Sequence, residues 1–288
     1  MRTRLLAALA PAAAVLLASA CSSASGASGT GSGSPPSAAI VAVGAENEYA
    51  DVISQVGGRY IKAAAIMSNP ATDPHTFEAS AQVAREVSAA QLVVQNGLGY
   101  DTFMKTIENA APDSQRKVIV VQNLLGLPDS TANPHLWYQP GTMTAVANAV
   151  ATGLSALQPA HASYFKANAA AFASSLTAWT SAIAAFKAKY PGTPVATTEP
   201  VADYMLQAAG ADNLTPIAFQ LDIMNGTDPS AQNAAAERSL LTGHKVKVLV
   251  YNQQVTDSLT QSFIQLARQN GIPVVGVYET MPAPGYDY

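Results

Sequence analysis

Tyr60–Gly97 reads YIKAAAIMSNPATDPHTFEASAQVAREVSAAQLVVQNG, and its parts alternate in kind. Tyr60 to Met67 is an apolar run that predicts a strand. Ser68 to Pro74 is a loop full of turn formers, and it delivers His75. A helix is predicted from about Glu78 to Ala89, then a strand at Gln91 to Gln95, closed by Asn96-Gly97. Upstream, Ala39 to Val43 reads as a strand and Tyr49 to Val56 as a helix ended by Gly57-Gly58. Downstream, Val118 to Val121 is another buried strand. Strands alternating with helices of this length predict an α/β fold with parallel strands and crossover helices. Ligand loops of such sheets gather at the carboxyl ends of the strands. His75 lies in a loop of that kind.

Residues 159–190 differ. Phe165, Phe172, Leu176, Trp179, Ile183, Phe186 and Tyr190 recur at helical steps and mark one continuous helical face. Pro159 suits its first turn and Pro191-Gly192 its end. A continuous helix of that length runs roughly 45 Å, enough to brace two lobes. The alternation then resumes. Strands are predicted at Pro194 to Thr198, Lys245 to Tyr251 and Ile272 to Tyr278, with helices at Val201 to Ala209 and Ser258 to Arg268. The plan is a first lobe at 39–158, a linking helix at 159–190 and a second lobe at 191–288. No short internal repeat is present.

The front end is of another character. Arg2 and Arg4 precede an apolar run from Leu5 to Ala18, and small residues follow. Residues 1–20 read as a secretory signal, since the run is shorter than the roughly 20 residues a spanning helix needs. Cys21, the only cysteine, stands where a bacterial lipoprotein carries its lipid, and it excludes an internal disulfide. Residues 22–38, SSASGASGTGSGSPPSA, form with Cys21 a flexible Gly/Ser tether. The expected location is extracytoplasmic, on the outer face of the cell membrane. The formal charge of −4 comes with no basic stripe, which argues against a nucleic-acid partner.

The chain has four histidines, and two share a context: Asp73-Pro74-His75 and Asn133-Pro134-His135. A preceding proline limits where each imidazole can point, and neutral imidazole is the commonest metal ligand. The pair predicts a transition-metal site shared by two distant segments. His161 and His244 read as surface residues, and Trp137 and Tyr138 as packing of the cleft wall.

The segments AENEYADVISQVGG, SNPATDPHTFE, NGLGYD, NPHLWYQP and TTEPVADYMLQAAG, in this order, resemble the substrate-binding lipoproteins of zinc and manganese ABC importers. The resemblance runs from about Ile40 to the end. It implies two Rossmann-like lobes joined by one long rigid helix, with the metal in the cleft between them. It implies His75 and His135 as the first two ligands and Glu199 as the third, where many zinc members carry histidine and manganese members often carry glutamate. It implies a fourth carboxylate after the last strand, here Glu279, with Asp287 as the alternative. Zn2+ or Mn2+ is then the carried ligand. The partners are an ABC permease and its ATPase, the protein is a monomer, and no catalysis is involved.

Two imidazoles and two carboxylates balance a dication, and a mixed N/O set suits Zn, Mn or Fe(II) rather than Cu(I). Asp73, Glu46 and Asp101 are candidate acceptors for the second ring nitrogens. The histidine- and acid-rich loop of some zinc members is absent. The family pattern also implies a last helix beyond Tyr288. A rival reading is a secreted zinc hydrolase using His75, His135 and Glu199 with Glu279 as general base, although no His-Glu-x-x-His helix is present. Nothing in these residues encodes a third possibility, a surface adhesin.

Overall fold

The computed structural model describes residues 39–71, 74–255, 257–282 and 287–288. The signal, Cys21, the tether to residue 38 and Asp73 lie outside the described residues. The first sheet contains β1 (Ile40–Glu46), β2 (Ile61–Met67), β3 (Leu92–Gln95) and β4 (Lys117–Val120), all parallel, in the order β2-β1-β3-β4. Its helices are α1 (Asn47–Gly57), α2 (Ala81–Ala89), α3 (Thr102–Ala110), α4 (Val121–Leu124) and α5 (Thr142–Leu157). The predicted α/β lobe is therefore present, with strand ends moved by one to three residues.

Alternation along the strands explains the layering. Ile40, Ala42, Leu92 and Val94 face one core with residues of α1 and α5, while Val43, Ala45 and Val93 face another with residues of α2 and α3. Both faces are covered, which is why β3 reads as a continuous apolar run. Tyr49, Val52, Ile53 and Val56 of α1 are fully buried. Each such side chain contributes about 1.5–3 kcal/mol of hydrophobic stabilisation. Gly58 ends α1 at φ +51, a left-handed conformation that suits glycine. The predicted Gly57-Gly58 stop is thus realised.

The second lobe repeats the plan with β5 (Pro194–Thr197), β6 (Asp212–Asn213), β7 (Leu249–Asn252) and β8 (Val274–Val277), parallel in the order β6-β5-β7-β8. Its own core joins Ala196, Phe219, Leu241, Leu249 and Phe263. The strand predicted from Lys245 is shorter than expected and begins at Leu249. Lys245 follows a helix end and donates its backbone N–H to Leu240 (2.9 Å), so this stretch closes a turn before pairing begins.

The linking segment departs from the expected single rod. A 3-10 turn, Pro159–His161, leads into α6 (Ala162–Ser175), and α7 (Thr177–Lys189) follows after a break at Leu176. No proline or glycine causes the bend. Ser175 Oγ donates to the Phe172 carbonyl at 2.7 Å and Thr180 Oγ1 to the Leu176 carbonyl at 3.2 Å. Such back-bonding competes with the helix ladder and bends it. The apolar stripe divides at the same place. Phe165 and Phe172 are buried in the first lobe, whereas Phe186 and Tyr190 are exposed. The remaining helices are α8 (Asp203–Ala208), α9 (Ile217–Met224), α10 (Ala231–Thr242) and α11 (Ser258–Gln269).

Candidate metal centre

The carboxyl ends of both sheets face one another. The turn after β2 carries His75, the loop after β3 carries Tyr100, β5 runs into Glu199, β7 ends in Asn252, and β8 runs into Glu279. His135 arrives on the long loop after α4. His75 Nε2 lies 3.2 Å from Glu279 Oε2, and His135 Nε2 lies 3.1 Å from the same oxygen. Ligand atoms of all three fall within 4.8 Å of one another. Tetrahedral ligands held at about 2.1 Å from a zinc ion stand roughly 3.4 Å apart, so this spacing fits one ion after small adjustment.

His135 and Glu279 are fully buried, whereas the His75 side chain is 19% exposed. His75 lines a cavity of about 320 Å³ with Tyr100, Pro134 and Met224, which makes it the most solvent-accessible of the three.

The orientation of His135 comes from the residue two before it. Asn133 Oδ1 accepts from the His135 backbone N–H (3.0 Å) and lies 2.8 Å from Nδ1. Asn133 Nδ2 meanwhile donates to the Pro200 carbonyl at 2.8 Å, so the amide orientation is fixed by both ends. Oδ1 has no proton to offer, so Nδ1 donates to it and Nε2 is the nitrogen turned to the site. Of the acceptors expected from the sequence, Asp101 and Glu46 do otherwise, and Asp73 lies outside the described residues. Asp101 spends its carboxylate on the backbone N–H groups of Asn96 (2.5 Å) and Gly97 (3.0 Å), because its loop needs them satisfied. Glu46 is fully buried, and neither carboxylate oxygen has a hydrogen-bond partner among the described residues. Asn133→Ala is expected to weaken zinc binding roughly 10- to 100-fold, the range for losing such an outer partner. Competition with a chromophoric chelator measures it, and an unchanged affinity would show that Asn133 does not set the ring.

Glu279 is held at both oxygens. Asn252 Nδ2 donates to Oε1 at 2.5 Å and the Tyr100 hydroxyl donates to Oε2 at 2.8 Å. Its backbone N–H donates to Gln254 Oε1 at 2.7 Å. Burial alone would raise this carboxyl, but the imidazoles of His135 and His75 outweigh it and hold the group well below the ordinary carboxylate range. Tyr100 goes the other way. Burial, joined by the Glu279 and Glu46 carboxylates, pushes its phenol well above the ordinary value, so the hydroxyl remains a donor.

Glu199 is buried, 3% exposed, just past β5, but it is not one of the three residues gathered above. It does not open a helix, since α8 begins only at Asp203. Asp287 is exposed and lines a different cavity. His244 is exposed as expected, while His161 is half-buried and stacks on Tyr60 at 3.8 Å. Trp137 packs edge-on to His135 at 5.5 Å, in line with a wall role. Asn133, Tyr100, Asn252 and Gln254 escaped the sequence reading. Only Asn133 had a usable local signal, an Asx residue two positions before a ligand.

Other acids are buried nearby. Burial pushes Asp101 up to about 6 and Glu48 up to about 8, from ordinary values of 3.8 and 4.5. A carboxyl raised in the folded state contributes stability that is fully present below its unfolded value and is lost as pH rises through the folded one. For Glu48 that window runs from about 4.5 to about 8. Glu48→Gln keeps the shape and cannot ionise. It is expected to raise the melting temperature of the metal-free protein by roughly 4–8 °C at pH 8 and to change it little near pH 5. An equal shift at both pH values would refute the assignment.

The lobes are also tied directly. Asn47 and the Met281 backbone exchange two hydrogen bonds (3.2 and 3.0 Å), and the Tyr138 hydroxyl donates to the Tyr278 carbonyl at 2.8 Å.

A family described as ZnuA, zinc-uptake complex component A, periplasmic, matches residues 43–288. The manganese-binding lipoprotein MntA of Bacillus subtilis (strain 168) is 23% identical over 129 residues, 43% of this chain. The match spans 42% of that relative's length. A crystal structure of ZnuA is similar at a TM-score of 0.69 and 20% identity, covering 85% of this chain and 92% of that one. The structure of FpvC from Pseudomonas aeruginosa in complex with Mn2+ is similar at 0.67 and 22% identity, covering 84% and 88%. These likenesses establish the fold, and the two lobes with a long bent linker agree with it. The hydrolase reading has no support, because the family is one of metal-binding uptake components rather than enzymes. With its match running through both lobes, the chain belongs to the family of the periplasmic component A of zinc-uptake complexes.

Proposed function

We propose that this protein captures zinc or manganese outside the cytoplasm and delivers it to an ABC permease driven by its ATPase. The observation that carries the reading is the meeting of His75 and His135 from one lobe with Glu279 from the other. A dication there would take lone pairs from both Nε2 atoms and from Glu279. Glu199, buried just past β5 and next to the Pro200 whose carbonyl Asn133 binds, is the fourth ligand in this reading. Four protein ligands would close the site to substrate water, as suits a carrier. Ligands must shed protons to bind metal, so affinity falls with acidity.

Residues 1–20 are then the export signal, Cys21 the lipidated residue and 21–38 the tether that holds a monomeric body near the membrane. The lobes are 39–158 and 191–288, with 159–190 between them. The direct lobe-to-lobe hydrogen bonds favour small motions over wide closure. Elemental analysis of protein purified from cells tests the reading, together with competition between the two ions. One equivalent of zinc or manganese per chain is expected. Protein that neither carries nor takes up either ion would sink the proposal.

A further inference from the structure

Glu279 is braced at two points, one on each oxygen, and this bears on which ion the site prefers. Both imidazole tips face Oε2, at 3.1 and 3.2 Å, so an ion bound by them sits on that side of the carboxylate. Oε1 is turned to Asn252 of its own lobe at 2.5 Å. The Tyr100 hydroxyl reaches across from the other lobe to Oε2 at 2.8 Å. To chelate with both oxygens the carboxylate must rotate, and rotation breaks one or both bonds.

The loop that presents Tyr100 is built at some cost. Gly97, Leu98 and Gly99 all have positive φ, +85, +54 and +81. Leucine is strained there, by roughly 1–3 kcal/mol. The strain is held by Asp101, which grips the Asn96 and Gly97 amides, and by Gln122 Oε1, which accepts from the Leu98 N–H at 2.8 Å. An outlier maintained by neighbours at a site invites a functional reading, and Tyr100 lies two residues after it.

Resting on the metal-capture reading above, we propose that Tyr100 is a selectivity residue: its bond to Oε2, opposed by Asn252 at Oε1, confines Glu279 to one-oxygen coordination and favours zinc over manganese. Zinc is satisfied by four tetrahedral ligands. Manganese favours oxygen-rich, octahedral surroundings, so denying it a chelating carboxylate removes a ligand it would use and zinc would not.

The test uses the full chain and the variant Tyr100→Phe, which keeps the ring and removes the hydroxyl. Zinc and manganese affinities are measured by chelator competition, and the coordination of bound Mn2+ by X-ray absorption. The zinc-over-manganese ratio should fall about tenfold, the scale of one hydrogen bond to a charged group, and the manganese shell should gain an oxygen. Affinities that move together, with the ratio and the shell unchanged, would overturn the proposal and leave Tyr100 a structural residue. Asn252→Ala frees the other oxygen and should shift the ratio the same way. It decides the matter if Tyr100→Phe fails to fold. A parent protein that binds neither ion would fail the capture reading itself. A parent that binds both, with variants of unchanged ratio, fails only the selectivity claim.

Discussion

His135→Ala is expected to lower zinc affinity by more than about a hundredfold, beyond the upper end of the loss that follows removal of an outer partner. His135 is fully buried, and its Nε2 faces Glu279 from 3.1 Å. Its ring is set by Asn133 and walled by Trp137 and Tyr100, at centroid distances of 5.5 and 5.9 Å. Alanine provides no donor, and the enclosing rings leave little room for another side chain to replace it. The cost to folding should be smaller, since it is limited to the ring's edge-on contacts with Trp137 and Tyr100 and its links to Asn133 and Glu279. Titration calorimetry with zinc, beside a melting curve of the metal-free variant, separates the two effects. Affinity within about tenfold of the parent would remove His135 from the ligand set.

Zinc itself should have a large effect on stability. A ligand that binds only the folded state at a thousand times its dissociation constant contributes about 4 kcal/mol. For a body of this size, that corresponds to a rise in melting temperature of roughly 8–16 °C. The rise should vanish in Glu279→Ala, which removes the carboxylate whose Oε2 faces both imidazoles. Because Glu279 belongs to the second lobe and the histidines to the first, an ion held by all three would act as a cross-link between them. Differential scanning calorimetry at fixed pH measures the shift. An unchanged zinc response in Glu279→Ala would mean that the ion is held elsewhere.

The strands were legible because each is buried on both faces and reads as a short apolar run between turn formers, Leu92–Gln95 most plainly. Helices lacking contrast were not. TMTAVANAVATGLSAL, now α5, is small and largely apolar with no charged residue, and AQNAAAERSLLT, now α10, mixes polar residues with alanine and leucine. In α5 the buried stripe of Met143, Val146, Val150 and Leu154 is masked by alanines and other small residues on its remaining faces, and α10 offers little contrast between its faces. The bend at Leu176 escaped because it comes from hydroxyl back-bonds and not from proline or glycine. At the site, His75 and His135 were legible as a pair from their shared Pro-His context, whereas Glu279 came only through the family resemblance, with Asp287 as its alternative. Tyr100 was not legible, since its partner lies 179 positions away and nothing local signals the pairing. Glu46 and Asp101 were reasonable acceptors by proximity of motif. The short Asn133 side chain, already aligned with its own backbone N–H, reaches His135 instead.

Crystals soaked in zinc and measured at the zinc absorption edge put the central claim to its most direct test. The account predicts one strong anomalous peak about 2.0–2.2 Å from Nε2 of His75, Nε2 of His135 and a carboxylate oxygen of Glu279. A fully bound ion located away from these three atoms, or a zinc-saturated protein with no peak between the lobes, would contradict it.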